Sequence, residues 1–142
     1  MRYLVDTNVF LEVLLEQADA TAARRFLKET EPERLVLSDF TLHSIGIILL
    51  RHERPGLLKE FVQDVVVRAA LGVHGLRPDD LSEVADISAR FTMDFDDSYQ
   101  YLLAKKQHLQ IVSYDSHFDR TDLRRVTPSD ALDVRTRTAQ AE

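Results

Sequence analysis

Short apolar runs alternate with longer stretches of helical spacing along this chain. Tyr3-Leu4-Val5, Leu35-Val36-Leu37, Gly72-Val73-His74-Gly75-Leu76 and Ile111-Val112-Ser113 read as strands, because each is brief, largely apolar and closed by turn or cap residues. Between them, apolar positions three and four apart predict helices over residues 9–15, 21–28, 40–50, 57–70, 78–91 and 96–107. Thr7 or Asn8 suits the cap of the first, Ser38-Asp39 that of the third, and Asp96-Asp97 that of the last. The β-branched run Val65-Val66-Val67 weakens the end of the fourth, since such side chains crowd the preceding helical turn. Arg125-Val126-Thr127 is a weaker strand candidate, and Pro128-Ser129 opens a terminal helix.

Strands that alternate with helices imply βαβ units on a parallel sheet. Strands this uniformly apolar imply helices on both faces. The expected fold is therefore α/β. Ligands of such sheets bind beyond the carboxyl ends of the strands, so the residues just after each strand carry the candidate chemistry. No repeat or glycine/serine linker interrupts the pattern, and one domain over residues 1–142 is expected. Gly46 inside a helical segment costs about 1 kcal/mol relative to alanine and points to close packing there.

Charge and composition then narrow the classes. The net charge is −6, from 24 acidic and 18 basic residues, which argues against holding nucleic acid by a basic surface alone. Clustered acids that await cations account for part of the excess. No stretch reaches roughly 18 consecutive apolar residues, so no membrane span is expected. Asp6 falls where a signal peptide would need its apolar run. Cysteine is absent, which excludes disulfides and thiolate metal sites and fits a cytoplasmic protein.

Acids stand at several of the expected strand ends. Asp6 follows the first strand, Ser38-Asp39 the second and Asp115 the strand ending in Ser113. Asp97 opens a helix that leads into that last strand, so its end of the helix faces the same edge. Crowded carboxylates repel one another, and a divalent cation removes that penalty. Oxygen-only ligation suits Mg²⁺ or Mn²⁺, and a phosphodiester is the natural substrate of such a site. Taken singly, Asp6, Asp97 and Asp115 are equally at home as turn or cap residues, and Asp94 and Asp96 as acids that suit a helix dipole. Their shared edge is what favours a metal site.

Three blocks carry a family resemblance: Leu4-Val5-Asp6-Thr7-Asn8-Val9, then residues 97–104 from Asp97 to Ala104, then Ile111-Val112-Ser113-Tyr114-Asp115-Ser116-His117-Phe118. In order and spacing they resemble the PIN-domain family, over nearly the whole chain. The resemblance implies a three-layer α/β/α fold with a parallel sheet of four or five strands. It implies a Mg²⁺- or Mn²⁺-dependent ribonuclease that hydrolyses RNA with a metal-activated water, of the VapC-like kind found as toxins of type II toxin–antitoxin pairs. A small antitoxin protein and a homodimer come with it. By the match, Asp6, Asp97 and Asp115 are catalytic acids and metal ligands. Ser113, Thr7 and Asn8 match polar positions that orient water or substrate, and Asp119 is an outer-shell candidate. The family usually carries a Glu where this chain has Ser44. The missing charge comes from Asp39, or from Asp94 or Asp96; otherwise the site binds metal poorly and the protein is a catalytically impaired RNA- or protein-binding module.

Other residues carry weaker chemistry. His43 and His117 fall near the candidate segments but read first as surface histidines. Lys105, Lys106, Arg120, Arg124 and Arg125 form a loose basic set that suits either solvated faces or RNA phosphates. Among Tyr99, Tyr101 and Tyr114, the last is the better candidate to stack on a base. A receiver-like phosphate binder also gathers acids at strand ends, but Arg77-Pro78 stands where its phospho-accepting Asp would be.

Overall fold

The structure, a computed structural model, describes residues 1–141. Four parallel strands form one sheet: β1 (Tyr3–Val5), β2 (Leu35–Ser38), β3 (Gly72–His74) and β4 (Gln110–Val112), in the order β3-β2-β1-β4. Helices α1 (Thr7–Leu14) and α2 (Ala20–Glu29) connect β1 to β2, and α3 (Asp39–Arg51) and α4 (Pro55–Phe61) connect β2 to β3. Helices α5 (Leu81–Phe91) and α6 (Phe95–Gln107) precede β4, and α7 (Pro128–Ala141) follows it. Beyond β4, Val126 makes a single parallel bridge to Val112, where the weak strand is expected.

The apolar strands divide their side chains between two cores, because successive residues point to opposite faces. Tyr3, Val5, Leu35, Leu37 and Val112 pack with Val9 and Phe10 of α1, Phe26 of α2, and Ile45 and Leu49 of α3. Leu4, Val36 and Ile111 pack on the other face with Val84 and Ile87 of α5 and Leu102, Leu103 and Ala104 of α6. This gives the three-layer α/β/α arrangement. Each fully buried Leu, Val or Phe contributes about 1.5–3 kcal/mol, which is why a sheet of three- and four-residue strands holds.

Three local expectations need correction. The segment expected as one helix over residues 57–70 is α-helical only through Phe61; Val62–Arg68 then widens into a π-helix, with Ala69 N–H donating to Asp64 O at 3.1 Å. The valine run accounts for the loosening, since β-branched residues are poor helix formers. Helix α1 starts at Thr7 and is capped by Asp6, not by Thr7 or Asn8. Gly46 meets no backbone: a Cβ there would touch only Leu58, at an ordinary 3.9 Å.

Candidate functional site

The connection out of β1 runs on one face through α1, and the connection into β4 runs on the other through α6. Adjacent parallel strands served from opposite faces leave a crevice at their carboxyl ends. Here that crevice opens into a cavity of about 490 Å³ lined by Asp6, Asp94, Asp96, Asp97 and Asp115, with Thr7, Asn8 and Gln100. Helix α3 supplies the opposite wall through Phe40, His43, Ser44, Ile47, Ile48 and Arg51.

Asp6 directly follows β1 and is buried, yet both of its oxygens are engaged. Oδ1 accepts from Thr7 N–H at 2.9 Å and from Gln100 Nε2 at 3.0 Å. Oδ2 accepts from Ser113 Oγ at 2.7 Å and from Asn8 Nδ2 at 3.4 Å. Burial raises its pKa above the ordinary value, against the lowering effect of these hydrogen bonds, and the charge of Asp115 adds to the rise. Ser113 ties the two strand ends together: while donating to Asp6 it accepts from Asp115 N–H at 2.9 Å and Asn8 Nδ2 at 3.2 Å. Asn8 Oδ1 accepts from Tyr114 N–H at 3.2 Å. Thr7 donates to Thr41 Oγ1 at 2.9 Å. Thr7, Asn8 and Ser113 therefore position the carboxylates.

Asp94, rather than Asp96 or Asp97, caps α6, accepting from Asp97 N–H at 3.0 Å. A capping aspartate points at the backbone, so this arrangement frees the Asp97 side chain to face the cavity. Asp97 is 5% exposed. Burial first, then the charges of Asp115 and Asp94, push its pKa up to about 7, against a lowering hydrogen bond from His117. Burial is the larger cause, and the neighbouring carboxylates add to it.

His117 stands beside this pair, with Nδ1 3.1 Å from Asp97 Oδ2 and 3.2 Å from Asp115 Oδ1. The tightest group of potential metal donors among the described residues is Asp97, Asp115 and His117, whose ligand atoms all lie within 4.8 Å of one another. Asp6 is outside that group but on the same cavity. The sequence placed His117 near the candidate segments but favoured a surface histidine, because an Asp-x-His step has no helical or strand spacing that would aim its ring at Asp97. Gln100, equally unremarked, lies one helical turn beyond Asp97 on the same face of α6, a relation readable from the sequence. Its Nε2 bridges Asp6 and Thr41, while its buried Oε1 has no partner among the described residues. Carboxylate oxygens in excess, unrelieved repulsion and an orphaned carbonyl oxygen form a donor set that suits a hard divalent cation.

Several other candidates lie elsewhere. Asp39 turns away from the cavity, accepting from Tyr99 OH at 2.7 Å and from Phe40 N–H at 2.8 Å. Asp119 lies 3.4 Å from Arg125. Lys105 pairs with Asp122, Lys106 with Asp80, and Arg120 donates to Thr92 O, so these cations answer internal partners. Of the tyrosines, Tyr99 and Tyr101 are buried and the Tyr114 hydroxyl is enclosed. Stacking surface is instead offered by Phe40, on the cavity wall, in contact with the half-exposed Phe95 at 5.9 Å between ring centres.

The sequence matches the PIN domain family over residues 3–123. The chain belongs to that family. No curated protein sequence matches it significantly. Among solved structures, it is similar to VapC20 of Mycobacterium tuberculosis, described as a sarcin-ricin loop cleaving toxin, with TM-score 0.75 and 17% identity over 89% of this chain and 99% of that one. A toxin–antitoxin complex from Klebsiella pneumoniae aligns with TM-score 0.69 and 13% identity, over 89% of this chain and 97% of the other. PAE2754 from Pyrobaculum aerophilum aligns with TM-score 0.66 and 20% identity, over 95% and 94%. At these identities the likeness is one of fold.

Proposed function

We propose that the protein is a metal-dependent endoribonuclease and the toxin of a toxin–antitoxin pair. The observation that carries this reading is the gathering of Asp6, Asp97 and Asp115 on one cavity at the β1–β4 crevice of a PIN domain. Asp97 and Asp115, with Asp6 on the same cavity, would hold a Mg²⁺ or Mn²⁺ ion. Such an ion lowers the pKa of water and neutralises charge that develops on a phosphate. Ser113 fixes the relative placement of Asp6 and Asp115. Arg51 on the α3 wall offers positive charge and His43 a hydrogen-bonding side chain to the RNA backbone, and Phe40 offers a face to a neighbouring base. We further propose residues 1–142 as one domain acting as a homodimer in the cytoplasm, where RNA and an inhibitory antitoxin would both reach the site.

Incubation with structured RNA and Mg²⁺ or Mn²⁺ tests the reading. Cleavage that EDTA abolishes and Asp6→Asn suppresses is expected; unchanged cleavage by the variant overturns it. Ser44 supports a second reading. It lines the cavity and brings no charge from α3, so an impaired module that binds RNA or protein without turnover is the alternative. Calorimetry with no Mg²⁺ or Mn²⁺ binding at millimolar concentration selects that one.

A further inference from the structure

We propose that His117 is a nitrogen ligand of the cation site and shifts its preference from Mg²⁺ toward Mn²⁺. The inference rests on the reading of the cavity as a divalent-cation site. Nδ1 of His117 lies 3.1 Å from Asp97 Oδ2 and 3.2 Å from Asp115 Oδ1. Ligand atoms on adjacent corners of an octahedron with bonds of about 2.1 Å stand about 3 Å apart. The ring thus already has the spacing to its two carboxylates that a shared ion requires. The chain holds it there. His117 N–H donates to Asp115 Oδ1 at 2.9 Å, within a 3-10 turn (Ser116–Arg120) anchored by the fully buried Phe118.

A second observation points the same way. Gln100, 1% exposed and on the cavity lining, keeps its Oε1 buried without a donor among the described residues. Unpaired buried carbonyls are rare, and one beside acids is accounted for by an ordered water or a cation. Ser44 sharpens the choice of ion. Mg²⁺ draws its affinity from charged oxygen ligands, and α3 gives the cavity none. An imidazole nitrogen adds little for Mg²⁺; Mn²⁺, though the weakest nitrogen binder of the first-row series, still gains from it. His117 therefore offsets the missing carboxylate for Mn²⁺ and not for Mg²⁺.

Pulsed EPR on the Mn²⁺-loaded protein tests this directly. Modulation from a directly bound ¹⁴N nucleus is expected in the unsubstituted protein and in His43→Ala, and is expected to vanish in His117→Ala. By calorimetry, Mn²⁺ is expected to bind at least about tenfold tighter than Mg²⁺. His117→Ala is expected to lose at least about tenfold in Mn²⁺ affinity, the floor for losing even an outer-shell partner, and to leave Mg²⁺ affinity within about threefold. His117 is half-exposed, and thermal unfolding in EDTA checks that the variant folds; should it not, the signal of the unsubstituted protein and of His43→Ala decides. Bound Mn²⁺ without ¹⁴N modulation, while Asp6→Asn still suppresses cleavage, overturns the role of His117 and leaves the ribonuclease standing. Absence of binding by both ions overturns His117 as a ligand and the ribonuclease together.

Discussion

Asp6 and Asp39 begin from the same place in the sequence logic and end in different chemistry. Each follows a short buried strand of a parallel sheet and stands at the start of a helix. Asp6 closes β1, whose other neighbour is β4, and so sits at the crevice where chain connections diverge to opposite faces. Asp39 closes β2, between β1 and β3, where no such divergence occurs. The Tyr99 ring fills that space, its hydroxyl donates to Asp39, and Gly75 packs so closely that a Cβ would come within 2.6 Å of Asp39 Oδ2. A carboxylate at a strand end is therefore a candidate ligand only if strand order opens the sheet beside it.

Substitution of the two acids breaks or sharpens this contrast most strongly. Asp6→Asn is expected to lower RNA cleavage by roughly 100-fold or more, since it takes charge from the proposed cation site. Asp39→Asn is expected to stay within about threefold, because Asn still accepts from Tyr99. Initial rates on one RNA under identical Mn²⁺ settle both, and equal losses would dissolve the distinction.

The second effect is pH. Asp97, with its pKa pushed up to about 7, must lose a proton to bind a cation. Divalent affinity is therefore expected to fall about tenfold per pH unit below 7, a slope read by calorimetry between pH 5 and 8. Without metal the sign for stability reverses. A folded-state pKa above the unfolded value of 3.8 means that the folded protein binds the extra proton, so the contribution of Asp97 to stability declines as pH rises from about 4 to about 7. In EDTA, the Tm of Asp97→Asn minus that of the unsubstituted protein is expected to grow over that window. A flat difference would mean that burial and the neighbouring acids do not raise the Asp97 pKa in the folded protein.

Two glycines give the smaller effects. Gly75→Ala drives a methyl into Asp39 and is expected to cost about 1–3 kcal/mol while leaving Mn²⁺ affinity unchanged, by urea unfolding and calorimetry. Gly46→Ala fills ordinary space on α3 and is expected to stabilise by about 0.5–1 kcal/mol. Loss of metal binding in Gly75→Ala would join the two regions that the comparison separates.

The layered fold was legible in the sequence because three of its strands are short, mostly apolar and punctuated by Asp and Ser; only burial on both faces explains such runs, and β3, Gly72-Val73-His74, is the half-exposed exception. The cavity was legible as far as Asp6, Asp97 and Asp115, which occupy one edge in any parallel arrangement. Strand order was not legible, and Asp39 therefore remained a candidate until its neighbour proved to be Tyr99. The α6 cap fell at Asp94, two residues before Asp96 and three before Asp97, at or just beyond the one- to two-residue uncertainty of helix ends. His117 was noticed but read as a surface histidine for another reason: its approach to Asp97 joins positions twenty residues apart through a tight turn, and no local periodicity encodes such a turn.

The most direct test of the account is an anomalous difference map from crystals soaked in Mn²⁺. A single strong peak enclosed by the carboxylates of Asp6, Asp97 and Asp115 is the expected result. A saturated soak that leaves that cavity empty, or places the ion beside Asp39, would contradict it.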